Sequence, residues 1–107
     1  MKKTGQKKYA IERNYERVGD FLQRARIKAN LTQREVSEFL GTTDQLICNY
    51  EAGMAVPPLK NLTPLVRLYR MDPEQIIDLI ITEERKVMMK GILNGPKLKL
   101  RRQQSRA

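Results

Sequence analysis

With 107 residues, 40% of them hydrophobic and 31% charged, the chain is long enough to bury one core and too short for two ordinary domains. It has no His and a single cysteine, Cys48, which excludes an intrachain disulfide, leaves no metal-ligand set and fits a reducing cytoplasm. Aromatic residues are few, so Leu, Ile and Met carry the apolar load and an all-α class is expected; no stretch approaches bilayer-spanning length, so no membrane partner and no export are expected.

The net charge of +9 is unevenly spread. Residues 1–17 hold six Lys or Arg and two Glu, residues 18–89 hold nine basic and ten acidic side chains, and residues 90–107 hold six basic and no acidic ones. The excess therefore sits in a basic N-terminal arm, residues 1–17, and a basic polar tail, residues 94–107. Cationic arms on a near-neutral body suit a polyanionic partner, whose phosphates they attract through counterion release. Solubilising, disordered ends explain either arm taken alone.

Val18, Phe21, Leu22, Ala25 and Ala29 recur at three- and four-residue intervals, which predicts an amphipathic helix over Val18–Ala29, ended by a left-handed Asn30. Thr32-Gln33-Arg34-Glu35 reads as a capping box that starts a second helix. That helix buries Val36 and Leu40 and stops at Gly41, barely two turns, so it must lean on neighbours. After Thr42, Thr43 can cap a third helix over Asp44–Ala52, closed by Gly53, with Asp44 at the positive end of the helix dipole.

Val56-Pro57-Pro58 gives a stiff entry to the apolar series Leu59, Leu62, Leu65, Val66, Leu68 and Tyr69, which Pro64 interrupts. The expectation is a short turn over Leu59–Leu62, then Thr63 as cap and Pro64 as the first residue of a helix reaching about Arg70. Asp72-Pro73-Glu74-Gln75 starts a fifth helix, with Asp72 as cap and Gln75 closing a box. Its apolar pattern covers more than one face and can run on through Val87, Met88 and Met89 until Asn94-Gly95-Pro96 ends it.

Two short helices joined by Gly41-Thr42-Thr43 form a helix-turn-helix candidate. The run Leu31-Thr32-Gln33, Glu35-Val36, Leu40-Gly41-Thr42-Thr43, then Ile47, Glu51, Gly53 and Pro57, resembles the Cro/repressor-like (XRE-type) helix-turn-helix family. The resemblance covers roughly Val18–Ile81 and implies a compact five-helix, lambda-repressor-like DNA-binding domain over residues 18–81; the apolar pattern that runs on beyond it predicts a helical extension over residues 82–93.

The resemblance implies that the helix after the turn enters the DNA major groove, with Thr43, Asp44, Gln45, Cys48 and Asn49 on the DNA face and Ile47 and Tyr50 toward the core. It places Gln33 on a phosphate, where it also supports the recognition helix, and joins Arg26 to Glu51 in a structural salt bridge. By their chemistry Gln45 or Asn49 can bond the N6 and N7 edge of adenine, and Asp44, an acceptor only, can take a proton from cytosine N4. An equally good reading makes Asp44 a first-turn acid with no base contact.

The chain departs from the family at Leu46 and Cys48 and at Met54-Ala55-Val56, where relatives often carry cationic or polar loop residues. An extra core or interface contact is the favoured role of Leu46, and an inert small residue that of Cys48. Phosphate contacts then fall to Arg34, Lys60 and the arms, in particular Lys2, Lys3, Lys7, Lys8, Arg101 and Arg102.

The function expected is a sequence-specific transcriptional regulator of double-stranded DNA, a repressor by expectation, cytoplasmic and nucleoid-associated. It would act as a homodimer on an inverted repeat, because one short helix reads few base pairs. The surplus apolar surface of the fifth helix, Ile77, Ile80, Ile81, Val87 and Met88, is the candidate dimer or partner interface. The alternative is a protein-interaction or antitoxin-like adaptor that uses this helix and its extension. With no His, no Cys pair, no phosphate-cradling glycine loop and no clustered carboxylates, neither an enzyme nor a cofactor is expected.

Overall fold

The computed structural model describes residues 14–95, and all the regular structure among them is helical. In chain order the elements are α1 (Glu16–Lys28), α2 (Gln33–Leu40), α3 (Asp44–Glu51), α4 (Leu59–Tyr69) and α5 (Pro73–Asn94). None of these helices is long and apolar enough to cross a membrane.

Local chemistry sets most of the boundaries. Asn30 adopts φ 62° after α1, as its short polar side chain allows. At α2 the Thr32 hydroxyl accepts from the Glu35 amide at 3.0 Å while Glu35 Oε1 accepts from the Thr32 amide at 2.9 Å, the reciprocal box expected there. Gly41 at φ 70° ends α2, and the Thr43 hydroxyl accepts from the Leu46 amide at 3.2 Å to begin α3. At α5 Asp72 Oδ1 accepts from the Glu74 amide at 3.0 Å; the cap is this single bond, without the Gln75 arm.

The fourth segment differs from expectation. α4 is one continuous helix from Leu59 to Tyr69 with Pro64 inside it, and Thr63 is an exposed helical residue, not a cap. A proline here removes the amide that would bond the carbonyl of exposed Lys60, a loss that water can repair. Leu62 on one side of Pro64, and Leu65, Val66, Leu68 and Tyr69 on the other, pack on the same core, which keeps the two halves collinear. Arg70 then closes the helix at φ 56°, with the Met71 amide bonded to the Val66 carbonyl at 3.0 Å.

The core is Val18, Leu22, Val36, Ile47, Tyr50, Leu65, Tyr69, Met71 and Ile76, with Phe21, Ala25, Leu46 and Ile80 packed around it. α1 is the central helix and touches α3, α4 and α5, while α2 packs on α3. The α1–α3 crossing is set by Gly19, because a Cβ there would lie 2.4 Å from the Glu51 carbonyl oxygen. Gly53, at φ 81°, makes a second such crossing: its own Cβ would fall 2.6 Å from the Glu16 backbone, and its carbonyl accepts from the Tyr15 amide at 3.0 Å.

Candidate nucleic-acid interface

α3 is a helix of eight residues, far too short to persist alone, so its direction is decided by what holds its inner face. Ile47 and Tyr50 are buried in the core, and the Tyr50 hydroxyl accepts from Asn61 Nδ2 at 2.9 Å, which ties α3 to α4. At the α3 N-terminus the buried Ser37 hydroxyl lies 2.6 Å from Asp44 Oδ1 and 2.8 Å from the Arg34 carbonyl oxygen. It has one proton to share, and the shorter contact is to the charged acceptor. Asp44 thereby braces α2 against α3, a role that neither sequence reading of this residue contained.

At the other end Glu51 collects three donors. Arg26 Nε reaches Oε2 at 2.6 Å, while Arg26 Nη2 and Gln33 Nε2 reach Oε1 at 3.1 Å and 2.9 Å. Arg26 Nη1 also bonds the Leu31 carbonyl at 2.7 Å, so all three guanidinium nitrogens are engaged. The ion pair is nearly dry, with side-chain exposures of 11% for Arg26 and 4% for Glu51. Hydrogen bonding to Glu51 raises the Arg26 pKa above its usual value, against the opposing effect of burial. Because a carboxylate only accepts, Gln33 must present its nitrogen here, and one of its two amide protons is committed to supporting α3.

Tyr69 lies beside this pair. Burial, and then the neighbouring Glu51 charge, push its hydroxyl pKa well above the ordinary value of 10, while Arg26 pulls the other way. The neutral phenol is the form favoured in the folded state, so this contribution to stability is whole below about pH 10 and is lost as pH rises through the folded-state pKa. Chemical denaturation between pH 8 and 11 should show stability falling only above about pH 10. Tyr69→Phe should reduce that alkaline loss, and an unchanged alkaline profile would contradict the assignment.

The outward side of α3 is polar. Gln45 is exposed and Asn49 half-exposed, and Gln45 Nε2 donates to Asn49 Oδ1 at 2.8 Å, one turn apart on the same face. Thr43 and Cys48 are also exposed, although the Thr43 hydroxyl is occupied as the cap. Leu46 leans inward against the core. A braced pair of helices joined by a glycine turn, with the second helix presenting side-chain amides outward, is the arrangement that a helix-turn-helix motif needs. A family model described as a helix-turn-helix domain matches residues 17–79, more than half of the chain. The chain belongs to this helix-turn-helix family. Comparisons with curated proteins and with solved structures returned no significant match.

The remaining candidate residues of the helix-turn-helix chain fall in different places. Arg34 is exposed, with Nε 3.3 Å from Glu38 Oε2 in a surface pair, and Lys60 is exposed on the first turn of α4. Lys2, Lys3, Lys7, Lys8, Arg101 and Arg102 lie outside the described residues. On α5, Ile77, Ile81 and Met88 are exposed, whereas Ile80 packs against the protein's own core and Val87 is half-buried. Sequence reasoning missed Gly19, Ser37 and Asn61, which position α3 without carrying any motif signal of their own.

Proposed function

We propose that this chain is a sequence-specific DNA-binding transcriptional regulator that reads the major groove with α3. The observation that carries the reading is the division of α3 into two faces: Ile47, Tyr50 and Glu51 fastened to the rest of the fold, and Gln45 and Asn49 turned outward. Side-chain amides offer a donor and an acceptor together, the pairing that matches adenine in the major groove. Thr43 and the second Asp44 oxygen flank them as further base contacts.

Arg34, Lys60 and the second amide proton of Gln33 meet phosphates beside the groove, and the arm residues Lys2, Lys3, Lys7, Lys8, Arg101 and Arg102 add sequence-independent attraction. The regulator works as a cytoplasmic, nucleoid-associated homodimer on an inverted repeat, since a single eight-residue helix spans only a few base pairs. Repression needs no more than occupancy of such a site. Exposed Met88, Ile92 and Leu93 favour a second reading, an antitoxin-like adaptor that binds another protein through α5.

A salt titration on one operator duplex tests the division of labour. The logarithm of affinity should fall linearly with the logarithm of salt concentration, and removing an arm cation should flatten the slope by about 0.9 for each phosphate that it had neutralised. An unchanged slope after Lys2, Lys3, Lys7 and Lys8 are replaced by Ala would exclude the N-terminal arm from the interface.

A further inference from the structure

Ser37 is 2% exposed, and it is tied at two points to the chain that follows α2. Its carbonyl oxygen accepts from the Thr42 amide at 2.9 Å, and its hydroxyl lies 2.8 Å from the Arg34 carbonyl oxygen and 2.6 Å from Asp44 Oδ1. A serine hydroxyl inside a helix ordinarily donates to a carbonyl three or four residues back. Here that would set a hydroxyl lone pair against a carboxylate oxygen, so with Asp44 ionised the proton goes to Asp44.

Fixing Oδ1 sets both side-chain torsions of Asp44, and with them the direction of Oδ2. Asp44 is exposed, and Oδ2 has no partner among the described residues. It is also the first residue of α3, at the end of a recognition helix that meets base edges.

We propose that Ser37, too buried to touch DNA itself, is a positioning residue for base selection. By holding Asp44 Oδ1 it makes Oδ2 a fixed acceptor in the groove, selective for the exocyclic amine of cytosine. This role rests on the proposed entry of α3 into the major groove and names the base that its first residue selects there. A carboxylate oxygen only accepts, so guanine, with N7 and O6 on that edge, and thymine, with O4, repel it. Adenine sets its N6 amine beside the acceptor N7, whereas cytosine offers N4 alone. A freely turning carboxylate would lose its freedom on binding, and Ser37 removes that freedom beforehand.

The test is selection of bound duplexes by the full chain, by Asp44→Ala, by Ser37→Ala and by the two combined, with thermal stability measured on each. Asp44→Ala should abolish a cytosine preference at one position of each half-site. Ser37→Ala should lower that same preference by about threefold to tenfold, the cost of ordering one freed side chain, and spare the other positions. Added to Asp44→Ala it should change nothing further, because Ser37 acts through Asp44.

Asp44→Asn probes the exposed side of the pair. With Ser37 present, Nδ2 donates to the hydroxyl, the hydroxyl donates to the Arg34 carbonyl, and Oδ1 faces the groove as the acceptor. Combined with Ser37→Ala, the amide is free to present both polar atoms, and the preference should move from cytosine to adenine. Adenine selected by Asp44→Asn alone, or an undiminished cytosine preference in Ser37→Ala, would overturn the positioning role. So would a Ser37→Ala effect spread over every position, the mark of a displaced α3. A motif that responds to Gln45→Ala and not to Asp44→Ala would overturn the cytosine contact and leave groove reading by α3 standing. No motif in any of the proteins would remove groove reading, and this role with it.

Discussion

Gly19→Ala is expected to destabilise the domain by about 3 kcal/mol, at the upper end of overpacking costs. The added methyl group would meet only backbone: the Glu51 carbonyl oxygen at 2.4 Å, the Tyr50 carbonyl oxygen at 2.7 Å and the Glu51 carbonyl carbon at 2.8 Å. No side chain can swing aside, so α1 and α3 must separate by about an ångström, and interiors packed this densely resist such a shift. The same displacement stretches the Arg26–Glu51 contact and moves the C-terminal end of α3. Gly91→Ala is the internal control. A Cβ at Gly91 meets nothing within 4 Å, so gaining alanine's helix propensity should stabilise α5 by up to about 1 kcal/mol. Equilibrium denaturation of the two variants should move their midpoints in opposite directions, and a Gly19→Ala protein as stable as the parent would contradict the close crossing.

Glu51→Ala should cost about 3–5 kcal/mol, because it leaves a buried cation without its counter-ion. Arg26 would keep only the Leu31 carbonyl, and Gln33 would lose the acceptor that holds its amide against α3. The pair itself is a poor source of net stability, since two charges have been taken out of water to make it. Arg26→Met combined with Glu51→Leu should therefore be less damaging than Glu51→Ala alone. Its role is geometric: three donors from α1 and α2 converge on the last residue of α3 and fix the direction of that helix. A double-mutant cycle by chemical denaturation measures this coupling, and additive losses at the two positions would refute it.

The parts of the fold that were legible in the sequence are those decided by local chemistry. Thr32 with Glu35, Gly41, Thr43 and the Asp72-Pro73 start act within one helical turn, and each marks an element end in the structure. Pro64 misled because its local cost was weighed without the packing of Leu62, Leu65 and Tyr69, a long-range effect. Arg70 in the left-handed region carries no signal at all, being held there by the core contacts on either side of it. The two faces of α5 overlapped in the sequence pattern, and only burial separates inward Ile80 and Val87 from outward Ile77, Ile81 and Met88.

The candidate site shows the same split. The positions Gln45 and Asn49 follow from helix periodicity once α3 is placed, and so does the inward turn of Ile47 and Tyr50. The engagement of Asp44 by Ser37 and of Gln33 by Glu51 joins residues whose side chains meet only when α2 and α3 cross. Such contacts are set by the crossing angle, which no spacing within either helix encodes.

The central claim is that α3 reads bases, and the most direct measurement is selection of bound sequences from a random duplex pool by the parent protein, Gln45→Ala and Asn49→Ala. The account predicts an inverted-repeat motif for the parent, and loss of preference at one or two positions of each half-site in each variant, with thermal stability unchanged because both side chains face outward. Salt-sensitive binding without any motif, or a motif identical in all three proteins, would contradict groove reading by α3.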